Sequence, residues 1–288
     1  MTTVPKLSLR DALLGVCVAL TWGMGMVFAK AAITHFPPIL LMAMRFSITA
    51  LALVWFVRPP IAHLKMLALI AFISAAVQYS LTYTGLKNLD ASAAALIVQL
   101  EVPFLTLFGV IALKEKTSWL KWLGIGLAFF GVWQISGAPK IAAAWGSVLM
   151  VVGGAAVWAV GQVMIRALRD IDGLTVTAWI AVMAAPQLLI MSLIFETDHI
   201  AAVTSATWVV WGAAFYMGLI MTALGYGIWY TLVRRNPVGQ VAPFLLLLPL
   251  FSVAGAVIFL GESLSLHVMI GGAIVIAGVA VIMFDKNS

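Results

Sequence analysis

The sequence predicts an all-α polytopic membrane protein, with ten transmembrane helices in two inverted five-helix repeats and both termini inside. Three observations carry this expectation. Of the 288 residues, 64% are hydrophobic and 9% charged, with a mean hydropathy of +1.13; a soluble core cannot use that much apolar surface, so lipid solvates most of the chain. Ten apolar stretches are each long enough to cross a hydrocarbon layer of ~30 Å, for which ~20 residues suffice. And motifs of the first half return, in order and spacing, in the second.

The expected spans are 11–32, 38–57, 65–86, 90–113, 118–137, 145–167, 173–195, 207–233, 238–260 and 266–284. The first follows Lys6 and Arg10 as a signal peptide would, but its apolar region is too long and Lys30 interrupts the usual exit, so it reads as a true span. The second opens on Pro37-Pro38 and contains Arg45. The third carries Ser74, Gln78, Tyr79, Thr82 and Tyr83, and the fourth Gln99, Glu101 and Pro103. Pro186, Pro243 and Pro249 fall inside later spans and are expected to bend them, freeing carbonyls that can line a cavity. The loops between spans leave no room for a soluble domain.

Basic residues orient the chain. With the N-terminus inside, the inner segments hold Lys6, Arg10, Arg58, Lys65, Lys114, Lys116, Lys121, Arg166, Arg169, Arg234, Arg235 and Lys286, whereas the outer loops hold Lys30, Lys87 and Lys140. This asymmetry accounts for the basic pI without any nucleic-acid partner. The single cysteine, Cys17, excludes a disulfide framework and a multi-cysteine metal site, and neither a metal nor a cofactor is expected.

The repeat is read from three sets of matches. LTWGMGMVFAK, ending at Lys30, returns as VWAVGQVMIR, ending at Arg166, which pairs Trp22 with Trp158 and Gly25 with Gly161. Tyr79, Tyr83 and Thr84 return as Tyr226, Tyr230 and Thr231; Glu115, Gly124 and Gly131 return as Glu262, Gly271 and Gly278. The halves are residues 1–140 and 141–288. With five spans each, they insert in opposite senses, an architecture recurrent in secondary transporters with the substrate site between the halves.

These motifs, together with the arginine after the paired prolines (Pro37-Pro38, Arg45-Phe46) and the series Pro103, Glu115, Gly124, Gly131 and Pro249, Gly261-Glu262, Gly271, Gly278, make the whole chain resemble the drug/metabolite transporter superfamily in its ten-span EamA-type branch. The first half departs from the pattern in having Lys114 where the second has Gly261. The resemblance implies export of small metabolites, often amino acids, across the bacterial inner membrane. The many aromatics make it similar, more narrowly, to aromatic amino acid exporters of the YddG type.

Candidate site residues follow from placement. Tyr79 and Tyr83 are one turn apart on one face, as are Tyr226 and Tyr230; an aromatic belt at the interface is one reading, and a gate at each side of the membrane the other. Gln78 sits beside the first pair, and a polar stripe belongs against protein or a water-filled cavity. Trp22 and Trp158 lie ~16 Å into their helices, where an indole N–H needs a partner; Gln162 is one candidate, lining of the site a second, and tight helix packing beside Gly25 and Gly161 the third. Ser92, Gln99 and Thr106 share a face at seven-residue spacing. Glu101 lies about 200° around the helix from Gln99 at ~100° per residue, so the two cannot both face the cavity unless Pro103 distorts the turn. Two readings of Glu101 stand: an ion pair with Arg45, or a cavity-facing proton site. Glu115 and Glu262, at helix ends, read as caps or loop anchors.

Enzyme chemistry is not expected: there is no HExxH, no GxSxG and no cysteine–histidine pair, and the four histidines fall in or near loops. A channel needs a ring of matching groups from several subunits, which one pseudosymmetric chain does not supply. The expected partners are a small-molecule substrate, the bilayer and, for a coupled exporter of cationic drugs, protons; transport without proton coupling is favoured.

Overall fold

The computed structural model describes residues 7–114, 117–165, 168, 170–236 and 238–285. Lys6, Glu115, Lys116, Arg166, Arg169 and Lys286, which enter the orientation and repeat arguments, lie outside the described residues. The described chain is helical almost throughout. We label the long helices α1 (Leu9–Ala32), α2 (Pro38–Phe56), α3 (Ile61–Leu86), α4 (in two pieces, Ala91–Val98 and Glu101–Leu113), α5 (Trp119–Ser136), α6 (Trp145–Ile165), α7 (Gly173–Phe195), α8 (Trp208–Arg235), α9 (Ala242–Leu260) and α10 (Leu266–Phe284). Among the described residues nine of these are long and apolar enough to cross a membrane. The remaining one, α5, has 18 residues whose three tryptophans, Lys121 and Gln134 dilute its hydropathy.

Local chemistry sets the helix ends. Ser8, Ser118, Ser265 and Asp172 each accept a hydrogen bond from a backbone N–H three residues on, at the starts of α1, α5, α10 and α7. The helices α2 and α4 have no such cap of their own. Glu196, at the end of α7, accepts from Ile39 N (2.8 Å) and Leu40 N (3.0 Å). Glu262, just past α9, accepts from Ala91 N (2.6 Å), Ser92 N (3.0 Å) and Ser92 Oγ (2.6 Å). Each carboxylate places charge on the positive end of a helix from the other half of the chain, which is the anchoring role anticipated for Glu262. Lys30 does the converse at the end of α3, donating to the carbonyls of Leu86 and Lys87, both at 3.0 Å.

The two halves meet through glycines. A Cβ on Gly131 would lie 2.7 Å from the Gly271 carbonyl oxygen, and one on Gly124 2.7 Å from that of Gly278. The four glycines of the sequence repeat therefore face one another, pairwise and antiparallel, across α5 and α10. In lipid, where no hydrophobic force drives helices together, such backbone approach is what makes their packing favourable. α2 packs similarly along α7, α1 along α9, and α3 along α6.

Packing is uneven along the molecule. Ile33, Phe36, Leu41, Leu86, Leu89 and Leu96 are buried in one continuous core at the end bearing the α1–α2 and α3–α4 connections. The opposite end has only two small clusters, around Leu67 and Val176 and around Val18 and Leu232. Between these small clusters lies a cavity.

Four helices depart from regular α geometry around that cavity. α3 and α8 contain π-helical stretches at Phe72–Val77 and Tyr216–Leu224, overlapping at the 147-residue offset of the repeat tyrosines. α4 breaks between Val98 and Glu101, and α9 begins as a 3₁₀ segment, Ala242–Leu246. Pro103 and Pro249 each occupy the third position of the helix piece that follows, Glu101–Leu113 and Leu247–Leu260.

At their far ends, both pieces stop on a left-handed residue, Lys114 (φ 53°) and Gly261 (φ 66°). Only glycine adopts that conformation freely; a lysine there is strained by ~1–2 kcal/mol. Lys114→Gly is therefore expected to raise the Tm in detergent, by an amount equivalent to ~1 kcal/mol. Gly271→Leu is expected to cost at least ~2 kcal/mol through overpacking, whereas Gly126→Leu, whose Cβ would meet nothing within 4 Å, leaves the thermal transition within experimental error.

Candidate functional site: a polar cavity between the halves

The cavity has two connected lobes, of about 230 and 360 Å³, which share Trp22, Arg45, Tyr79, Trp158, Tyr226 and Leu245 as common wall. The first lobe adds Gln78, Tyr83, Gln99 and Glu101; the second adds Gln162, Thr222 and Tyr230. The structure thus brings the paired tryptophans and tyrosines, Arg45, Gln78, Gln99, Glu101 and Gln162 onto the walls of this cavity, but not Ser92 or Thr106.

Arg45 is the centre of the wall. It is 1% exposed and projects from α2 between the two halves. Its Nε donates to Thr222 Oγ1 at 3.0 Å, one Nη donates to the Tyr83 hydroxyl at 3.3 Å, and its guanidinium carbon lies 4.7 Å from the centre of the Tyr79 ring. The π-helical stretch of α8 makes this possible. The Thr222 hydroxyl donates five residues back to the Met217 carbonyl (2.8 Å), which leaves its lone pairs for Arg45. The sequence carries no signal for this bond, because π turns have no reliable sequence signature.

The expected Arg45–Glu101 ion pair is not formed: Arg45 donates to Thr222 and Tyr83 instead and, among the described residues, has no carboxylate within ion-pair distance. Glu101 instead lines the first lobe with no hydrogen bond to any described residue. Gln99 lines the same lobe, contrary to the helical-wheel objection. The reason is the break in α4. Pro103 has no N–H to offer the Gln99 carbonyl, which accepts instead from Val102 N (3.2 Å), while Leu100 N and Gln99 N bond three residues back to Ile97 O and Leu96 O. Winding at ~3.0 rather than ~3.6 residues per turn moves Gln99 and Glu101 from about 160° to about 120° apart, the short way round. The same break undoes the Ser92–Gln99–Thr106 face. Ser92 is taken by Glu262, and Thr106 donates to its own helix at Val102 O (3.0 Å).

The paired aromatics are related but not identical. The Trp22 indole donates to the Met221 carbonyl at 2.8 Å, within the π-helical stretch, and its ring lies 4.9 Å from Tyr226 and 5.8 Å from Trp229. Trp158 makes no hydrogen bond to a described residue; Gln162 is not its partner, and both side chains face the cavity. Tyr79 stacks on Tyr83 with centroids 5.6 Å apart, and Tyr226 lies tilted against Tyr230 at 5.8 Å. Tyr83 is 2% exposed and bonded to Arg45. Its counterpart Tyr230 is half-buried, bonded to Thr177 on α7 at 3.0 Å, and borders the second lobe. Of the remaining polar atoms, Gln78 Oε1 and Ser252 Oγ in the first lobe have no hydrogen-bond partner. Gln187 serves packing, donating to Ala68 O at 3.1 Å across α7 and α3. Thr222→Val leaves the Arg45 Nε–H without its acceptor in a buried site and is expected to destabilise by ~1–3 kcal/mol, measurable as a lower Tm in detergent; Thr222→Ser keeps the acceptor and most of the stability.

Comparison with known proteins adds a family. The sequence pattern described as the EamA-like transporter family matches residues 9–137 and again 145–284. The chain is 27% identical, over 96% of both chains, to a probable amino-acid metabolite efflux pump of Salmonella typhimurium. It is 24% identical, again over 96% of both, to one of the same description from Escherichia coli. A probable terminal-alkyne amino-acid exporter of Streptantibioticus cattleyicolor is 29% identical, over 78% of this chain and 75% of its own. One solved crystal structure superposes with a TM-score of 0.64 at 18% identity, covering 96% of this chain and 98% of its own, which bears on the fold alone.

Proposed function

The chain belongs to the EamA-like transporter family, and on that premise we propose that it moves neutral amino acids, aromatic ones included, outward across the bacterial inner membrane by alternating access through the cavity. That it is a multi-pass membrane transporter of small molecules, and not an enzyme, follows from the family and from relatives described as efflux pumps. In this reading residues 1–140 and 141–288 are two inverted five-helix repeats of one membrane domain with both termini inside.

One observation carries the reading. Tyr83 and Tyr230 are counterparts in the repeat, yet Tyr83, on the wall of the first lobe, is 2% exposed and bonded to Arg45, whereas Tyr230, on the wall of the second, is half-buried and bonded to Thr177. Two like halves in unlike environments support the reading of a carrier at one end of its cycle, in which exchanging the two environments would close the Tyr230 end and open the Tyr83 end. The paired glycine seams and the matched breaks in α4 and α9 supply a rigid contact and hinges for that exchange. Trp22, Gln78, Tyr79, Tyr83, Gln99, Trp158, Gln162, Tyr226 and Tyr230 form the substrate wall in this scheme. Arg45 on the same wall argues against an exporter of cationic drugs, and transport proceeds without obligatory proton coupling.

Saturable counterflow of neutral amino acids in proteoliposomes is the expected behaviour; conductance at channel rates from the purified protein rejects a carrier. In a Cys17→Ser background, a cysteine at position 230 should react with an impermeant thiol reagent from the side of the N-terminus, while one at position 83 stays protected. Equal labelling of both from the same side contradicts the alternating scheme.

A further inference from the structure

An arginine and a glutamate line one cavity without pairing. Arg45 is buried in the cavity wall, spends two of its five N–H groups on Thr222 and Tyr83, and among the described residues has no carboxylate within ion-pair distance. Glu101, across the break in α4, has neither a cation nor a hydrogen-bond donor among the described residues. Ionisable groups at such depth are retained only with partners, because leaving a charge alone in a low-dielectric site is costly. Arg45 has only neutral oxygens and a ring face beside it, and these solvate a cation without cancelling it. A guanidinium is also the group best suited to bind a carboxylate bidentately. Glu101 is an acceptor only when ionised and suits an ammonium.

Resting on the reading of the chain as an amino acid exporter, we propose that the two are the poles of a zwitterion site: the substrate α-carboxylate seats on Arg45 and its α-ammonium on Glu101. The ligand completes the neutralisation that the protein withholds. Gln99 lies on the same wall as Glu101, and Gln78 Oε1 is an unused acceptor beside them. The rings of Trp22, Trp158 and Tyr226 are left to pack on an apolar side chain. This arrangement assigns specificity to the backbone charges of the substrate and makes the side-chain pocket permissive. It also makes Arg45 and Glu101 act on different ends of the ligand, which an ordinary structural pair would not do.

The test uses the full chain in proteoliposomes and counterflow competition by L-phenylalanine, L-leucine and L-threonine, each as the free amino acid, the N-acetyl derivative and the methyl ester. The wild type should prefer the free form over both derivatives by roughly ten-fold or more, the scale of one lost charge-assisted contact. Glu101→Gln should narrow only the discrimination against the N-acetyl form, and Arg45→Gln only that against the ester. Arg45→Lys, which keeps the charge, should retain the latter at reduced affinity, so that a poorly folded Arg45→Gln does not decide the matter. If the wild type counterflows amino acids but both ratios survive Glu101→Gln and Arg45→Lys keeps full affinity for the free amino acids, the zwitterion site is wrong while the exporter reading stands. Unchanged ratios with a pH-gradient dependence lost in Glu101→Gln make Glu101 a proton carrier instead. No counterflow of any free amino acid by the wild type removes the exporter reading and this inference together.

Discussion

Hydrocarbon has no water to offer a backbone N–H or carbonyl, so a helix crossing it can loosen only where protein groups or a wet cavity satisfy what is released. The irregular stretches of this protein obey that constraint. The Met217 and Met221 carbonyls of α8, in the π-helical stretch, are taken by the Thr222 hydroxyl and the Trp22 indole. The Gln99 carbonyl, deprived of a donor by Pro103, is taken by Val102 N. Each repair places a side chain on the cavity wall, so the site is a by-product of where the backbone is allowed to be irregular.

The same constraint governs how the halves hold together. Without a hydrophobic force between helices, close backbone approach and charge at helix ends must serve. The glycine pairs between α5 and α10 provide the first. Glu196, against the start of α2, and Glu262, against the start of α4, provide the second, at the end where the core is continuous. Both carboxylates bind backbone groups of the opposite half, so the well-packed end is fastened by contacts that can be broken without unfolding a helix.

Much of the site was legible in the chain because lipid makes polarity conspicuous. Arg45, Gln78, Gln99, Glu101 and Gln162 stand out in runs that are otherwise apolar, and the repeat singled out Trp22 with Trp158 and the four tyrosines. What failed was anything that assumed a regular helix. The wheel put Gln99 and Glu101 on different faces and Ser92, Gln99 and Thr106 on one; the 3₁₀-like turn before Pro103 reverses both statements. The Arg45–Glu101 pair was inferred from depth alone, and depth does not say which way two side chains turn.

Composition, span length and the recurrence of motifs determine by themselves that the chain is a helical membrane protein with two related halves, since these depend only on the solvent each residue can tolerate and on covalent order. Which partner each charge takes, that Tyr83 is buried against Arg45 while its counterpart Tyr230 is half-buried against Thr177, and that the four repeat glycines meet one another were decided by tertiary structure. Those outcomes depend on the angle at which broken helices cross, a property of many packed residues at once and of no single stretch of sequence.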